Sequence, residues 1–386
     1  MFSFLFLALS SQPHVILAGV LAAVYVGTAL TFFSYEPIWD GYGFIKLCYV
    51  PATEGILWDC ANHSSVIHNL IFGTALSIHP SVHSIYVVNL ALGLIGVWLM
   101  YKVLGKLFSD HLSTVQSVLI AFLLALNPIM MAHVIQPSLD FTLPIYTAFL
   151  LYALLERRFF LVVSAGILLS FTKESGLVVY GITTTFYLLV MYNYENLLSL
   201  LKDLVRGSQE KIRELMQILT LSIPLVLFCA YSLLMPESLH VQGLLSDNSF
   251  TTLLKEMVTF NQSADFLLAQ FGSIAILNFG WVMTLSIVVG FIVYSLRIAQ
   301  GKRSFQSHAV FLVLCTITLL WFLTRVEFFN NPRYMLPLLP FLLLLFVQSL
   351  LILFKRTHIT IVLISLTLLV YLSCFFTFDP VSKQVF

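Results

Sequence analysis

The sequence predicts an all-α polytopic membrane protein, and two observations carry this prediction. Hydrophobic residues make up 59% of the 386 residues, whereas only 10% are charged. A soluble chain carries about a quarter charged residues, so this chain has too few of them to cover a globular surface. Its polar residues gather in gaps between long apolar runs, which is typical of transmembrane helices.

About eleven apolar segments approach the roughly 20 residues that cross a bilayer core. They cover approximately residues 14–34, 83–104, 112–134, 139–155, 159–172, 175–193, 216–235, 272–296, 308–324, 335–354 and 358–377. The fourth to sixth segments lie so close together that we expect one of them to be short or re-entrant. No internal repeat and no stretch long enough for a soluble domain is visible, so residues 1–386 are predicted to form a single transmembrane domain.

The basic residues predict the orientation, because cytoplasmic loops are enriched in Lys and Arg. One set of alternating loops holds 13 of the 19 basic residues: Lys102, Lys106, Arg157, Arg158, Lys202, Arg206, Lys211, Arg213, Arg297, Lys302, Arg303, Lys355 and Arg356. The other set holds Lys46, Lys173, Lys255, Arg325, Arg333 and Lys383. The first set is therefore predicted to be cytoplasmic, and this places the N-terminus in the cytoplasm.

Acidic residues follow the opposite distribution. Of the 18 in the chain, 12 lie on the predicted outer side: Glu36, Asp40, Glu54, Asp59, Asp140, Glu174, Glu237, Asp247, Glu256, Asp265, Glu327 and Asp379. Acidic residues contribute little to orientation, so this asymmetry indicates a functional outer face.

Two predicted outer loops are long, residues 35–82 and 236–271. The first contains an apolar stretch, 66–78, that is too short to span and is predicted to lie on the membrane as an interfacial helix. Residues 194–215 predict a basic amphipathic segment beside anionic lipid on the cytoplasmic side. Residues 1–11 are apolar but lack the positive charges of a signal peptide, so they form either an interfacial piece or the start of the first helix.

The composition also disfavours several function classes. A net charge of +1 without a basic patch gives no reason to expect nucleic acid as a partner. The sequence contains neither GxxxxGK[ST] nor GxGxxG, the loops that hold nucleotides. Its five cysteines lack the spacing of metal ligands. Cys48 and Cys60 share the first outer loop and would pair in an oxidising compartment, and this pairing is left open.

Two carboxylates are candidates for chemistry, because ionisable residues near membrane depth are costly. Asp40 stands among aromatic residues just beyond the first span. It is either a general base that accepts a proton from a hydroxyl or a solvated loop acid. Asp140 stands at the outer end of an apolar helix. It is either paired within a site or extended toward the membrane surface.

Two cations are candidates for binding phosphate. Lys173, within the polar island 172–176, either pairs with the adjacent Glu174 or contacts a phosphate. Arg333, followed by Tyr334, stands at the head of a helix, where bidentate hydrogen bonds and the helix N-terminus favour phosphate. The alternative for Arg333 is a position at the membrane interface without a ligand.

The first outer loop also holds Asp59 and His63, near three further histidines. The spacing of these residues does not form the i, i+4 pair of a helical zinc site, so no metal site is predicted. No cofactor is predicted either, although a divalent cation is left open.

Taken together, these segments resemble the membrane-embedded GT-C glycosyltransferases that use polyprenyl-phosphate sugars. The nearest type is glycosyltransferase family 39-like, that of the protein O-mannosyltransferases and aminoarabinose transferases. Four features match in order over roughly residues 14–345. The first is an acid in the first outer loop, Asp40, with Asp59 nearby, and the second is Asn127-Pro128 before the helix-end acid Asp140. The third is Lys-Glu-Ser-Gly at 173–176, and the fourth is Pro-Arg-Tyr-Met-Leu-Pro-Leu-Leu-Pro at 332–340. The chain departs from the family at Asp40-Gly41, where relatives often have Asp-Glu.

The resemblance implies many transmembrane helices, interfacial helices in the first outer loop and an active site on the non-cytoplasmic side. By motif position it implies Asp40 as catalytic base or as a group that orients the acceptor, and Asp140 as a second catalytic acid that organises the site. Lys173 and Arg333 are the implied candidates for binding the lipid phosphate. The neighbouring residues Glu174, Tyr334, Asp59 and His63 are further candidates for substrate binding. The implied partners are a polyprenyl-phosphate sugar, a hydroxyl acceptor and membrane lipid, in a bacterial or archaeal plasma membrane or the ER membrane.

Two other functions remain as alternatives. A transporter or flippase for a lipid-linked sugar would favour charged or broken helices near mid-membrane, often in repeated halves. Here the charges gather at one face and no repeat is visible. A non-catalytic subunit of a membrane glycosylation complex is the second alternative, and the divergent first loop is what favours it.

Overall fold

A computed structural model describes most of the chain. The described residues are 12–37, 40–57, 65–192, 209–234, 272, 279–301, 306–326, 332–354, 357–373, 378–379 and 384–385. For Asp40 and some other residues within these ranges, only the backbone is described. The predicted second outer loop, 236–271, and most of the predicted amphipathic segment, 194–215, lie outside the description.

The predicted first outer loop contains short helices between two long ones. The chain begins with α1 (Pro13–Thr31) and continues through α2 (Asp40–Phe44), a π-helical turn (Ile45–Tyr49), α3 (Val50–Thr53) and α4 (Val66–Ile78). The apolar stretch 66–78 therefore forms a helix with the bounds predicted for it. It buries Phe72 and Leu76 on one face and exposes Leu70 and Ile78 on the other, as a helix lying on a membrane would.

The middle of the chain consists of closely connected helices. They are α5 (Val82–Leu107), α6 (Thr114–Ala125), α7 (Pro128–Ile135), α8 (Leu139–Leu155), α9 (Phe159–Ser170) and α10 (Glu174–Phe186), which continues as a π-helical turn (Tyr187–Met191). Nearly every side chain of α8 is buried. α8 packs against α5 and α9, so it forms the centre of the bundle.

The last part of the chain completes the bundle. It contains α11 (Gln209–Thr220), α12 (Ile223–Leu234), α13 (Trp281–Ala299), α14 (Ser307–Val326), a 3-10 helix (Pro332–Leu338), α15 (Leu339–Leu353) and α16 (Thr357–Ser373). A two-residue antiparallel pair, β1 (Phe378–Asp379) with β2 (Gln384–Val385), follows α16. This small pair departs from the purely helical prediction.

Among the described residues, seven helices are long and apolar enough to cross a membrane, or eight if one bent pair counts as a span. Each of the segments predicted from the sequence overlaps a helix, but three of them coincide with helices too short to count as spans: α8 and α16 have 17 residues each and α9 has 12. The predicted count of about eleven spans is thus not confirmed. The predicted span 272–296 also begins later, since α13 starts at Trp281 after a turn at 279–280.

The predicted span 112–134 is not one straight helix. It consists of α6 and α7, which are bent by 52° relative to each other. Pro128 is the first residue of α7, and the side chain of Asn127 accepts a hydrogen bond from the Ile129 backbone at 3.0 Å. Proline fits the first turn of a helix and not its interior, so a new helix starts here.

The two ends of the bundle differ in charge. At the C-terminal ends of α5 and α8, Lys106 forms an ion pair with Glu156 at 2.8 Å, close to Lys102, Arg157 and Arg158 in sequence. α8 is 17 residues long, so Asp140 at its start lies about 25 Å away along the helix axis. The predicted cytoplasmic residues Lys106 and Glu156 and the predicted outer residue Asp140 therefore lie at opposite ends of α8.

Candidate functional site

An ion pair between two distant residues forms the centre of the candidate site. The Lys173 ammonium Nζ donates a hydrogen bond to Oδ1 of Asp140 at 2.8 Å. Both side chains are buried, with Asp140 4% and Lys173 7% exposed. The alternative that Asp140 extends to the membrane surface is therefore wrong, and Lys173 has Asp140 as its buried partner.

Arg333 and Tyr334 complete this cluster from the 3-10 helix. Nε of Arg333 lies 3.6 Å from Oδ2 of Asp140, and its guanidinium donates a hydrogen bond to the Tyr334 hydroxyl at 3.2 Å. The Lys173 ammonium lies over the Tyr334 ring, 4.3 Å from its centre. The ring thus contacts both cations, in the geometry of a cation–π interaction. Three segments that are far apart in the sequence meet here.

The Asp140 side chain is also held in place by Ser138, at the start of its own helix. The Ser138 hydroxyl accepts a hydrogen bond from the Asp140 backbone N–H at 3.1 Å, which caps α8, and it lies 3.3 Å from Oδ2 of Asp140. A carboxylate in the first turn of a helix is further stabilised by the helix dipole. Asp140 therefore has little freedom to turn, and it fixes the positions of the two cations beside it.

The Lys-Glu-Ser-Gly motif has a steric explanation. Lys173 immediately precedes α10, and the backbone N–H of Gly176 donates to the Lys173 carbonyl at 2.9 Å. A Cβ at Gly176 would collide with the backbone carbonyl oxygen of Leu169, near the end of α9. Only glycine lets the first turn of α10 approach the last turn of α9 this closely, and this approach brings Lys173 to Asp140.

The corner between α7 and α8 is fixed by a buried asparagine. The Asn89 side chain on α5 donates hydrogen bonds to the carbonyls of His133 and Val134 at 3.2 and 3.0 Å. The His133 ring lies 3.2 Å from the carbonyl oxygen of Gln136. The bend at Asn127–Pro128 and these hydrogen bonds turn the chain so that α8 starts with Asp140 facing the cations.

The predicted base, Asp40, is the first residue of α2, and its side chain is not described. The position of α2 is shown by the next residue, Gly41. A Cβ at Gly41 would lie 2.7 Å from Nε2 of Gln136, so the backbone of α2 directly contacts the Gln136 side chain. Gln136 stands four residues before Asp140. The first turn of α2 therefore lies beside the segment that leads into the cluster.

The interfacial helix also reaches the site. The backbone N–H of Ile67 in α4 donates to the carbonyl of Phe171 at 3.1 Å, two residues before Lys173. Next to it, Nε2 of His68 lies 2.8 Å from the Tyr49 hydroxyl. Burial lowers the pKa of His68 to about 3, so its ring is neutral near pH 7. This His68–Tyr49 pair holds α4 against the π-helical turn.

Several of these supporting residues were not singled out in the sequence. Asn89, Gln136 and His68 are each less than 10% exposed within apolar surroundings. A polar residue in an apolar helix is costly unless it is hydrogen-bonded, and that signal would have identified Asn89. Nothing in the sequence shows that Gln136 contacts Gly41, because this contact depends on how the loop folds back.

Other predicted residues are only partly accounted for. Asp59 and His63 lie outside the described residues. Glu174 is the first residue of α10 and is half-buried. Cys48 is disulfide-bonded, while Cys60 is not described. Within the described part of the chain, no group of three or more His, Cys, Asp or Glu residues is placed to hold a metal ion.

The cluster is suited to an anion. It combines one carboxylate, Asp140, with two cations, Lys173 and Arg333, so these three groups carry a net charge of +1. Arg presents a planar fork of donors that matches phosphate, and Lys adds a point charge. Since charge interactions are stronger where water is excluded, the buried Lys173 and the partly buried Arg333 can bind a phosphate and stabilise negative charge that develops on it.

Comparison with known proteins gives a structural match. No protein-family model matches the chain, and no curated protein matches its sequence. The fold is similar to the crystal structure of ArnT from Cupriavidus metallidurans bound to undecaprenyl phosphate, with a TM-score of 0.59 and 14% sequence identity. The superposition covers 94% of this chain but 63% of the ArnT chain, so this chain spans less than two thirds of that protein. The predicted fold of many apolar helices is confirmed, and it is similar to the fold of ArnT.

Proposed function

We propose that this protein is a membrane-embedded glycosyltransferase that moves a sugar from a polyprenyl-phosphate donor to a hydroxyl acceptor on the non-cytoplasmic face. The observation that carries the proposal is the convergence of Lys173 and Arg333 on the buried carboxylate of Asp140. The fold supports it, because the structurally similar ArnT was crystallised with undecaprenyl phosphate. A donor of that class presents a phosphate at membrane depth, where these cations lie.

In this proposal the cations act on the leaving group. The bond between the sugar's anomeric carbon and the phosphate oxygen breaks, and its electrons stay on the phosphate. Lys173 and Arg333 stabilise the charge that develops there, and such preorganised electrostatic stabilisation is usually the largest contribution to catalysis. Tyr334, which contacts both cations, keeps them in place. Asp140 positions Lys173 and Arg333 and has no direct role in proton transfer.

The acceptor is activated from the opposite side. The acceptor oxygen forms its bond to the anomeric carbon while its proton passes to the carboxylate of Asp40, the general base. Attack opposite the leaving phosphate inverts the configuration at that carbon. The contact between Gly41 and Gln136 supports this role, since it brings the first turn of α2 beside the segment that leads to Asp140. The products are a glycosylated acceptor and polyprenyl phosphate.

The test separates donor binding from transfer. Asp40→Asn should retain binding of a radiolabelled polyprenyl-phosphate sugar but lose about 10²–10⁴-fold in transfer, the usual contribution of a general base. Arg333→Gln should weaken donor binding by roughly 10- to 100-fold, since a hydrogen bond to a charged group is worth about 1.5–3 kcal/mol. Both are measured on purified protein, by filter binding and by release of polyprenyl phosphate.

The matched control is Lys106→Gln, which removes a cation that also pairs with a carboxylate but at the other end of α8. It should leave donor binding unchanged. Transfer at the wild-type rate by Asp40→Asn would remove Asp40 as the base. Donor bound and moved across a vesicle membrane without any cleavage would instead favour a flippase.

A further inference from the structure

A group of exposed cations lies where α5 and α8 end, at the end of the bundle opposite Asp140. Its members, whose side chains are all exposed, are Lys102, Lys106, Arg157 and Arg158. Two carboxylates stand near them in the sequence, Asp110 after α5 and Glu156 after α8. Four cations thus stand against two carboxylates, which leaves a net charge of +2. A charge of this sign favours an anionic ligand.

Two of these cations, Lys102 and Arg158, lie near the same carboxylate. Glu156 forms an ion pair with Lys106 at 2.8 Å, which joins the ends of α5 and α8. The hydrogen bond from Lys106 holds the pKa of Glu156 below its usual range, and the charges of Arg158 and Lys102 lower it further. The ion pair therefore occupies Lys106, and the other two cations stand beside it.

An aromatic pair marks the level of the membrane surface. Trp98 stands one turn before Lys102 on α5 and is 52% exposed. Its ring lies 5.9 Å from the Lys102 ammonium and 6.2 Å from the ring of Tyr152 on α8. Trp and Tyr are enriched at membrane–water interfaces, where their rings lie at the level of the lipid headgroups. Lys102 therefore stands where lipid phosphates lie.

An exposed apolar stripe leads from this level into the bilayer. Along α5, Val87, Ala91, Ile95 and Trp98 are exposed and stand about one turn apart. From Ala91 to Lys102 the helix rises about 16 Å, half of a hydrocarbon core of roughly 30 Å. This part of the stripe has the length of one leaflet and ends at Lys102.

We propose that Lys102 and Arg158 bind the phosphate of an anionic phospholipid from the leaflet at this end of the bundle, with one acyl chain along the exposed stripe of α5. The apolar, aromatic and cationic side chains of α5 follow the order of acyl chain, ester region and phosphate in such a lipid. Charge selects the headgroup, because basic residues near the membrane surface attract anionic lipids. The site is independent of the proposed glycosyl transfer, since Asp140 lies about 25 Å away along α8.

Native mass spectrometry tests the proposal. Delipidated full-length protein in a neutral detergent is titrated with phosphatidylglycerol or with phosphatidylcholine that has the same chains. We expect the first phosphatidylglycerol to bind at least about fivefold more tightly, the ratio that corresponds to one basic contact. Glycerol 3-phosphate, which carries a phosphate without the chains, should not displace it. Equal affinity for the two lipids, or displacement by glycerol 3-phosphate, would overturn the proposal without any variant.

Single substitutions locate the two parts of the lipid. Lys102→Gln and Arg158→Gln should each weaken phosphatidylglycerol binding by about fivefold and leave phosphatidylcholine binding unchanged. Ile95→Ser places a hydroxyl on the stripe and should weaken the binding of both lipids alike. Wild-type affinity for phosphatidylglycerol in both Lys102→Gln and Arg158→Gln would remove these residues as its ligands and overturn the proposal.

The matched control is Arg157→Gly, which removes a cation from the same turn. The φ of Arg157 is 54°, in the left-handed region that glycine adopts readily, so the change fits the backbone. The Arg157 side chain forms a hydrogen bond with the Tyr187 hydroxyl and is not among the proposed phosphate ligands. This variant should bind phosphatidylglycerol as the wild type does. A loss equal to that of Arg158→Gln would indicate a diffuse attraction by all basic residues and would overturn the site.

Discussion

At the scale of single residues, Asp140 determines the arrangement of the site. Its oxygens contact the ammonium of Lys173, the hydroxyl of Ser138 and the guanidinium of Arg333. A buried cation is costly unless an opposite charge compensates it. Asp140 places one negative charge between two positive ones, so these three groups carry a net charge of +1 and favour an added anion. The same carboxylate thus serves both stability and binding.

This balance of charges predicts a measurable coupling energy between Asp140 and Lys173. Asp140→Asn should destabilise the protein by about 3–5 kcal/mol, because it leaves Lys173 buried without its counter-charge. The double variant Asp140→Asn with Lys173→Met should recover much of that loss. The free energy of unfolding of the wild type, both single variants and the double variant forms a cycle that gives the coupling energy. Additive effects of the two changes would mean that the ion pair contributes nothing.

The sequence was informative about these residues for a physical reason. Ionisable residues near membrane depth are costly, so Asp140, Lys173 and Arg333 stood out without any knowledge of the fold. Their mutual contacts could not be derived, because each lies on a different helix and pairing depends on packing. The local alternative, in which Lys173 pairs with Glu174, was equally consistent with the sequence.

At the scale of elements, the junction between α9 and α10 restricts the size of the side chain at position 176. Gly176→Ala would place a methyl group against the carbonyl oxygen of Leu169, and overpacking of this kind costs about 1–3 kcal/mol. It should also move Lys173 and reduce donor binding. The control is Gly181→Ala on the same helix, where a Cβ meets no atom within 4 Å. Thermal unfolding and donor binding are measured for both variants, and only Gly176→Ala should lose stability and donor affinity. Equal values for the two variants would contradict the steric explanation.

Other elements show where a pattern of apolar residues is insufficient. Apolar length identified α5 and α14 well, but it also predicted one straight span over 112–134, where Asn127 and Pro128 start a new helix. The dipeptide carries the signal for this break, since asparagine caps a helix and proline begins one. The same holds in the first loop. Its apolar run predicted α4, but no pattern of apolar residues predicted the contact of Gly41 with Gln136.

At the scale of the whole molecule, charge predicts the orientation. The Lys106–Glu156 pair and the cluster of Asp140, Lys173 and Arg333 lie at opposite ends of α8. Because Lys and Arg mark cytoplasmic loops, we expect Ser109→Cys to be protected and Thr53→Cys to be labelled by a membrane-impermeant maleimide added to intact cells. Both positions are exposed.

The parent for this measurement carries Cys229→Ser, since Cys229 is an exposed free cysteine. Permeabilised cells give the maximum labelling for each position. Labelling of Ser109→Cys in intact cells, with Thr53→Cys protected, would reverse the orientation. It would also place the proposed reaction on the cytoplasmic face.

The shortness of α9 has a consequence for the surrounding bilayer. Its 12 residues extend about 18 Å, well below the roughly 30 Å of hydrocarbon that a span must cross. Phe160, at its start, is 81% exposed, so part of this short helix faces lipid. Hydrophobic mismatch of this size is relieved by local thinning of the bilayer or by tilting. The thickness of the host membrane, and with it the depth at which a lipid phosphate meets Lys173, therefore becomes a physical variable of this protein.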